Sequence, residues 1–143
     1  MKKIILFMIA VSFAACTPKE SEQTTASIDE AKTREVLEHH LEAFKNNDIE
    51  ATMADYSDES IVVTPDGTAR GLEEIRRNFE GAFKLFPKDS ITFTMTKTVV
   101  LQDVAYIIWQ AKTPKFELSY ATDSFIIRDG KILRQTYAGA VKQ

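Results

Sequence analysis

The sequence predicts an α+β domain in which three helices pack on one face of a curved antiparallel sheet, built of four long strands plus short ones. Two patterns of apolar spacing carry this expectation. Up to Pro87, apolar residues recur every three to four positions, as on one face of a helix; beyond it they alternate with polar residues, as on a strand. The third observation is the Asp129-Gly130 pair between the last two alternating runs, a composition that favours a tight hairpin. Successive hairpins build antiparallel sheet, and helices with one apolar stripe must bury it against a sheet face.

Taken in order, the first helix is expected from Ile28 to Asn46, where Val36, Leu37, His40, Leu41 and Phe44 recur at helical spacing. At about 100° per residue, His40 and Phe44 fall inside the apolar arc and His39 falls outside it, among Glu35, Glu38 and Glu42. Asn46-Asn47-Asp48 ends this helix and caps a short one from Ile49 to Tyr56, because short polar side chains accept the first free N–H groups. Ser60 to Thr64 is a β-branched run and reads as a strand, and Pro65-Asp66-Gly67 reads as a turn. Gly71 to Phe86 is the third helix, with Leu72, Ile75, Phe79, Ala82, Phe83 and Phe86 on one stripe. Ile91, Phe93 and Met95 then alternate with threonines, and strands follow at Val104 to Lys112, Leu118 to Ile127 and Ile132 to Val141.

The N-terminus has another character. Lys2-Lys3 precede an almost wholly apolar run from Ile4 to Phe13, then Ala14-Ala15-Cys16. A run this short does not cross a bilayer core as a helix, which takes about 20 residues. It reads as the apolar region of a signal peptide over residues 1–15. Phe13-Ala14-Ala15-Cys16 resembles a lipobox, with Phe where Leu is usual, so Cys16 is expected to be lipidated and to become the first residue of the mature chain. Residues 16–27 continue as a polar segment that buries too little surface to fold, a tether to a domain at residues 28–143. The expected location is the bacterial cell envelope, lipid-anchored on a periplasmic or outer-membrane face.

Composition narrows the function. Without Lys2 and Lys3 the chain has 16 cationic against 21 acidic side chains, a formal charge of −5. Nucleic acid is not an expected partner, since phosphate binding needs a cationic surface. Cys16 is the only cysteine; once lipidated it leaves no thiol for a disulfide, a metal or a nucleophile. No metal-binding His motif, acidic calcium loop, Gly-rich phosphate loop or nucleophile elbow is present, and no metal or cofactor is expected.

Three stretches together resemble the SnoaL-like branch of the nuclear-transport-factor-two-like superfamily: VLEHHLEAFKNNDIEATMADYSDESIVVTPDG (Val36 to Gly67), ARGLEEIRRNF (Ala69 to Phe79) and ATDSFIIRDGKILRQTYAG (Ala121 to Gly139). The resemblance implies a cone whose sheet and helices enclose a pocket for a small, mostly apolar molecule, and a homodimer formed through the sheet. Members include ketosteroid isomerases, polyketide cyclases, dehydratases and non-enzymatic binding domains, so the fold alone assigns no activity. At the positions of the isomerase base, phenol and protonated acid, this chain has Thr64, His40 and Asp123. A threonine hydroxyl does not shuttle protons near neutral pH. His40 and Asp123 are the candidate catalytic residues, an acid/base pair for isomerase, cyclase or hydrolase chemistry; Tyr56, Thr64, Trp109, Tyr120 and Phe125 are the candidate pocket residues. Each also has a plainer account: His40 as a core histidine with one hydrogen bond, Asp123 as a structural acceptor, the aromatic residues as sheet packing. The leading expectation is a ligand-binding lipoprotein, with the enzyme and a self-filled structural or interaction module as alternatives.

Overall fold

The computed structural model describes residues 28–142. The signal peptide, Cys16 and the tether lie outside the described residues.

The helices fall where apolar spacing places them: α1 (Glu30–Lys45), α2 (Ile49–Ala54) and α3 (Gly71–Leu85). Asp29 caps α1 by accepting from the N–H groups of Ala31 and Lys32, and Asp48 caps α2 by accepting from Ala51 N–H. Asn47 closes the junction between them in the left-handed region (φ 51°), which asparagine tolerates. Its side-chain amide donates to the carbonyls of Phe44 and Phe86 and accepts from Lys88 N–H, so it also clasps the end of α3.

The strands are β1 (Ile61–Thr64), β2 (Gly67–Arg70), β3 (Thr92–Leu101), β4 (Val104–Lys112), β5 (Glu117–Arg128) and β6 (Lys131–Val141), in one sheet of order β2-β1-β6-β5-β4-β3. The four long strands form an antiparallel meander, as expected. Two features differ from the sequence reading. Residues 67–70, of which the sequence reading assigns Gly67 to the turn and the rest to no element, form β2, which pairs with β1 across the Pro65-Asp66 turn. And β1 runs parallel to β6, since the meander brings the last strand back beside the first. Asp129 (φ 51°) and Gly130 (φ 72°) both take positive φ between Arg128 and Lys131, the backbone of a type I′ hairpin.

The helices cover one face of the sheet. Leu37 of α1 and Ile75 and Phe79 of α3 are buried against Val62, Ile107, Trp109, Phe125 and Ile132 of the strands. Among the described residues no helix lies over the opposite face, which exposes Val99, Leu101, Val104, Tyr120 and Ile126.

Candidate functional site

The concave face of the sheet has Asp123 at its middle, on β5. Strand register dictates its surroundings. Asp123 stands opposite Ile107 on β4 and Tyr137 on β6, which makes Trp109 and Gln135 its diagonal neighbours, one on each flanking strand. Both use that position: Trp109 Nε1–H donates to Asp123 Oδ2 at 2.8 Å and Gln135 Nε2–H donates to Asp123 Oδ1 at 2.9 Å. The carboxyl is 6% exposed. Burial pushes its pKa above the ordinary range; the two N–H donors and the charge of His40 pull the other way without cancelling the rise.

From Gln135 the polar chain continues to α2. The Tyr56 hydroxyl donates to Gln135 Oε1 and lies 3.5 Å from His40 Nε2. Tyr56 is buried, and desolvation together with the charges of Asp123 and Asp55 pushes its phenol well above the usual range. His40 sits among rings, edge-on to Tyr56, Phe79 and Phe125 at centroid separations of 5.5, 5.6 and 5.7 Å. Its Nδ1 faces Asp55 Oδ2 across 3.5 Å, too far for a sound hydrogen bond, and neither atom has another partner. The other Asp55 oxygen bonds His39 Nδ1 at 2.7 Å. Asp55 follows the last turn of α2, and its carbonyl accepts from Ile132 N–H, which fixes the carboxylate between α1 and β6.

His40 and Asp123, expected as a pair, both lie in this interior but share no hydrogen bond: Tyr56 and Gln135 stand between them. Tyr56, Trp109 and Phe125 are interior as well. Thr64 is spent on its own turn, donating to Gly67 O and accepting from Asp66 N–H. Tyr120 faces outward, 44% exposed, its hydroxyl 3.4 Å from that of Tyr106. Counting back in twos from Phe125 and Asp123 already places Tyr120 on the other side of the strand. The residues that sequence reasoning missed are Asp55, His39, Gln135 and Tyr137. For Gln135 and Tyr137 the same alternation, counted from buried Ile132 past the hairpin, is weakened by a register shift at Ile126/Ile127. For His39 and Asp55 the sequence has no signal, because the contact depends on how α2 folds back on α1.

Around Asp123 the interior is aromatic. Trp109 stands 5.6 Å from Phe93, 5.8 Å from Phe86 and 6.2 Å from Tyr137, centroid to centroid, and Phe86 stands 5.6 Å from Phe116. Phe93, Phe116 and Tyr137 are only half-buried. Two hollows are described on the surface, one of about 200 Å³ between the start of α1 and the β5–β6 hairpin, the other of about 420 Å³ over the exposed ends of β3, β4 and β5; neither is lined by His40 or Asp123. Among the described residues no group of three or more His, Cys, Asp or Glu is placed to hold a metal ion.

This architecture, a bent sheet closed over three helices with a polar group at its centre, defines a nuclear-transport-factor-two-like domain. The profile of the SnoaL-like domain family matches residues 37–135, more than half of the chain, and the chain belongs to that family. Among solved structures, a candidate ketosteroid isomerase from Kribbella flavida superposes with a TM-score of 0.66 at 15% identity, over 79% of this chain and 81% of its own. A candidate polyketide cyclase from Sinorhizobium meliloti gives 0.63 at 19% identity, over 77% and 99%. A de novo designed protein with a curved β-sheet gives 0.66 at 16% identity, over 78% and 88%. At these identities the likeness is one of fold. No curated protein matches the sequence.

Proposed function

We propose that this chain is an envelope lipoprotein, anchored through lipid on Cys16, whose domain binds a small, mostly apolar molecule in the cone against Asp123. The observation that supports binding is the polar floor itself. His40, Tyr56, Asp123 and Gln135 are all buried. Burying such groups gains little stability over well-packed apolar side chains of similar volume, and a carboxylate in particular carries a desolvation cost. A cone that presents them to a ligand has more use for them than one filled by its own side chains. Phe116 lies in the β4–β5 connection and is half-buried. With Tyr137 it is the ring that a ligand would displace on its way to Asp123.

Binding without turnover is the better reading of the two. Thr64 supplies no base, and His40 lies beside Tyr56 and Asp55 and makes no hydrogen bond to Asp123, so no acid/base pair is formed. The uncovered apolar side of the sheet, with Val99, Leu101, Val104 and Ile126, supports a homodimer as the working unit. Native mass spectrometry of the full-length chain released from detergent micelles tests both parts. The expected spectrum shows a dimer carrying a small molecule; a bare chain that also takes up nothing from a lipid and metabolite extract overturns the binding reading.

The self-filled module is the second reading, and the ring contacts around Trp109 favour it. It predicts that replacing Asp123 affects stability alone.

A further inference from the structure

The binding reading leaves open what kind of molecule is held, and the charge balance around Asp123 bears on that. Its two oxygens already receive N–H donors from Trp109 and Gln135. Gln135 Oε1 takes the phenol proton of Tyr56, which leaves its Nε2–H to Asp123. Asp123 is thus presented as an acceptor, the arrangement that suits an ionised carboxylate. Yet among the described residues no lysine or arginine pairs with it; the ion pairs join other residues, and His40 acts on it only at a distance, without a hydrogen bond. A buried carboxylate without a counter-charge in contact is costly. Trp109 donates to it, Tyr137 stands opposite it on β6, and Phe93 packs on Trp109; the faces of such rings attract cations.

We propose that the ligand of this cone is a small organic amine bound as its ammonium cation, with the charge on Asp123 and the carbon skeleton among Trp109, Phe93 and Tyr137. The inference rests on the binding reading. The ammonium supplies a counter-charge in contact, accepts the cation–π attraction, and uses the lone pairs that Trp109 and Gln135 leave on the carboxylate. A neutral alcohol of the same skeleton gains only a hydrogen bond, and a carboxylate is repelled.

Trp109 is the only tryptophan of the chain, so its emission reports on this site alone. The full-length chain at pH 7.5 is titrated with 2-phenylethylamine, 2-phenylethanol and phenylacetate. The expected result is a saturable change with the amine, at an affinity about tenfold or more above that of the alcohol, and none with the acid. Asp123→Asn should abolish the preference for the amine over the alcohol. An alcohol that binds as tightly as the amine, or an Asn variant that keeps the amine preference, overturns the inference while ligand binding stands. Failure of all three probes also overturns it; a small molecule in the native spectrum then keeps the binding reading, and a bare chain removes both. If the variant does not fold, the order of affinities in the unsubstituted chain still decides.

Discussion

Asp123→Asn makes a direct test of how the buried carboxyl is held. Burial raises the pKa of Asp123 in the folded chain above its unfolded value of about 3.9. Between those two values the folded state keeps a proton that the unfolded state has released. The contribution of Asp123 to stability is therefore fully present below the unfolded value and is lost as pH rises through the folded one, by up to about 1.4 kcal/mol per pH unit within the window. Asparagine does not titrate and escapes this loss. It has its own cost: Trp109 and Gln135 both present N–H groups, and one end of the asparagine amide is a donor, so one buried N–H loses its acceptor. That deficit is on the order of 1–3 kcal/mol and does not depend on pH. The difference in unfolding free energy, wild type minus variant, should thus be positive near pH 4 and fall as pH rises, then level off above the folded pKa. Urea denaturation of both chains at half-unit steps from pH 4 to pH 8, followed by far-ultraviolet circular dichroism, measures it. A difference that grows with pH would refute the reasoning, since it would mean that the hydrogen bonds outweigh desolvation and the carboxylate is stabilised by folding. A flat difference would mean that water reaches the group.

Other expectations follow from the same structure. Gly130→Val forces a β-branched residue into φ 72° and should cost on the order of 1–3 kcal/mol, read as a lower melting temperature; an unchanged one would refute the type I′ assignment of the hairpin. Phe125→Ala removes a ring that is 1% exposed and packs edge-on against His40, and should destabilise by about 3–5 kcal/mol in the same denaturation assay, with a smaller loss if the neighbouring rings collapse into the space. Cys16→Ser should free the chain from washed membranes or stall its processing, because two or more acyl chains at about 0.8 kcal/mol per buried CH₂ make anchoring stable; a serine chain that matures and stays bound would refute lipidation.

Periodicity and the Asp129-Gly130 turn were enough for the helices and the long meander, and for the side that most residues take. The 3.6-residue repeat put His40 inward on α1, because which way a side chain points is a local property of backbone geometry; the two-residue repeat sets Asp123 and Phe125 on one face and Tyr120 on the other, against the expectation that Tyr120 lines the pocket. The charge balance and the N-terminal segment likewise belong to the linear sequence, and with them the expectations about nucleic acid and the membrane anchor. What periodicity does not contain is distance across elements. That Gln135 stands beside Asp123 follows from the β5–β6 register, which the positive-φ pair Asp129-Gly130 and the shift beside it set together. That β1 closes the sheet against β6 follows from the curvature of the whole meander. His39 and His40 point about 100° apart on α1 and still reach the two oxygens of one carboxylate, because α2 folds back and sets Asp55 between them. His40 and Asp123, both correctly turned inward, are kept from pairing by Tyr56 and Gln135, whose bulk and hydrogen-bonding capacity occupy the space between. Direction is encoded residue by residue; who meets whom is decided only when packed elements fix the separations.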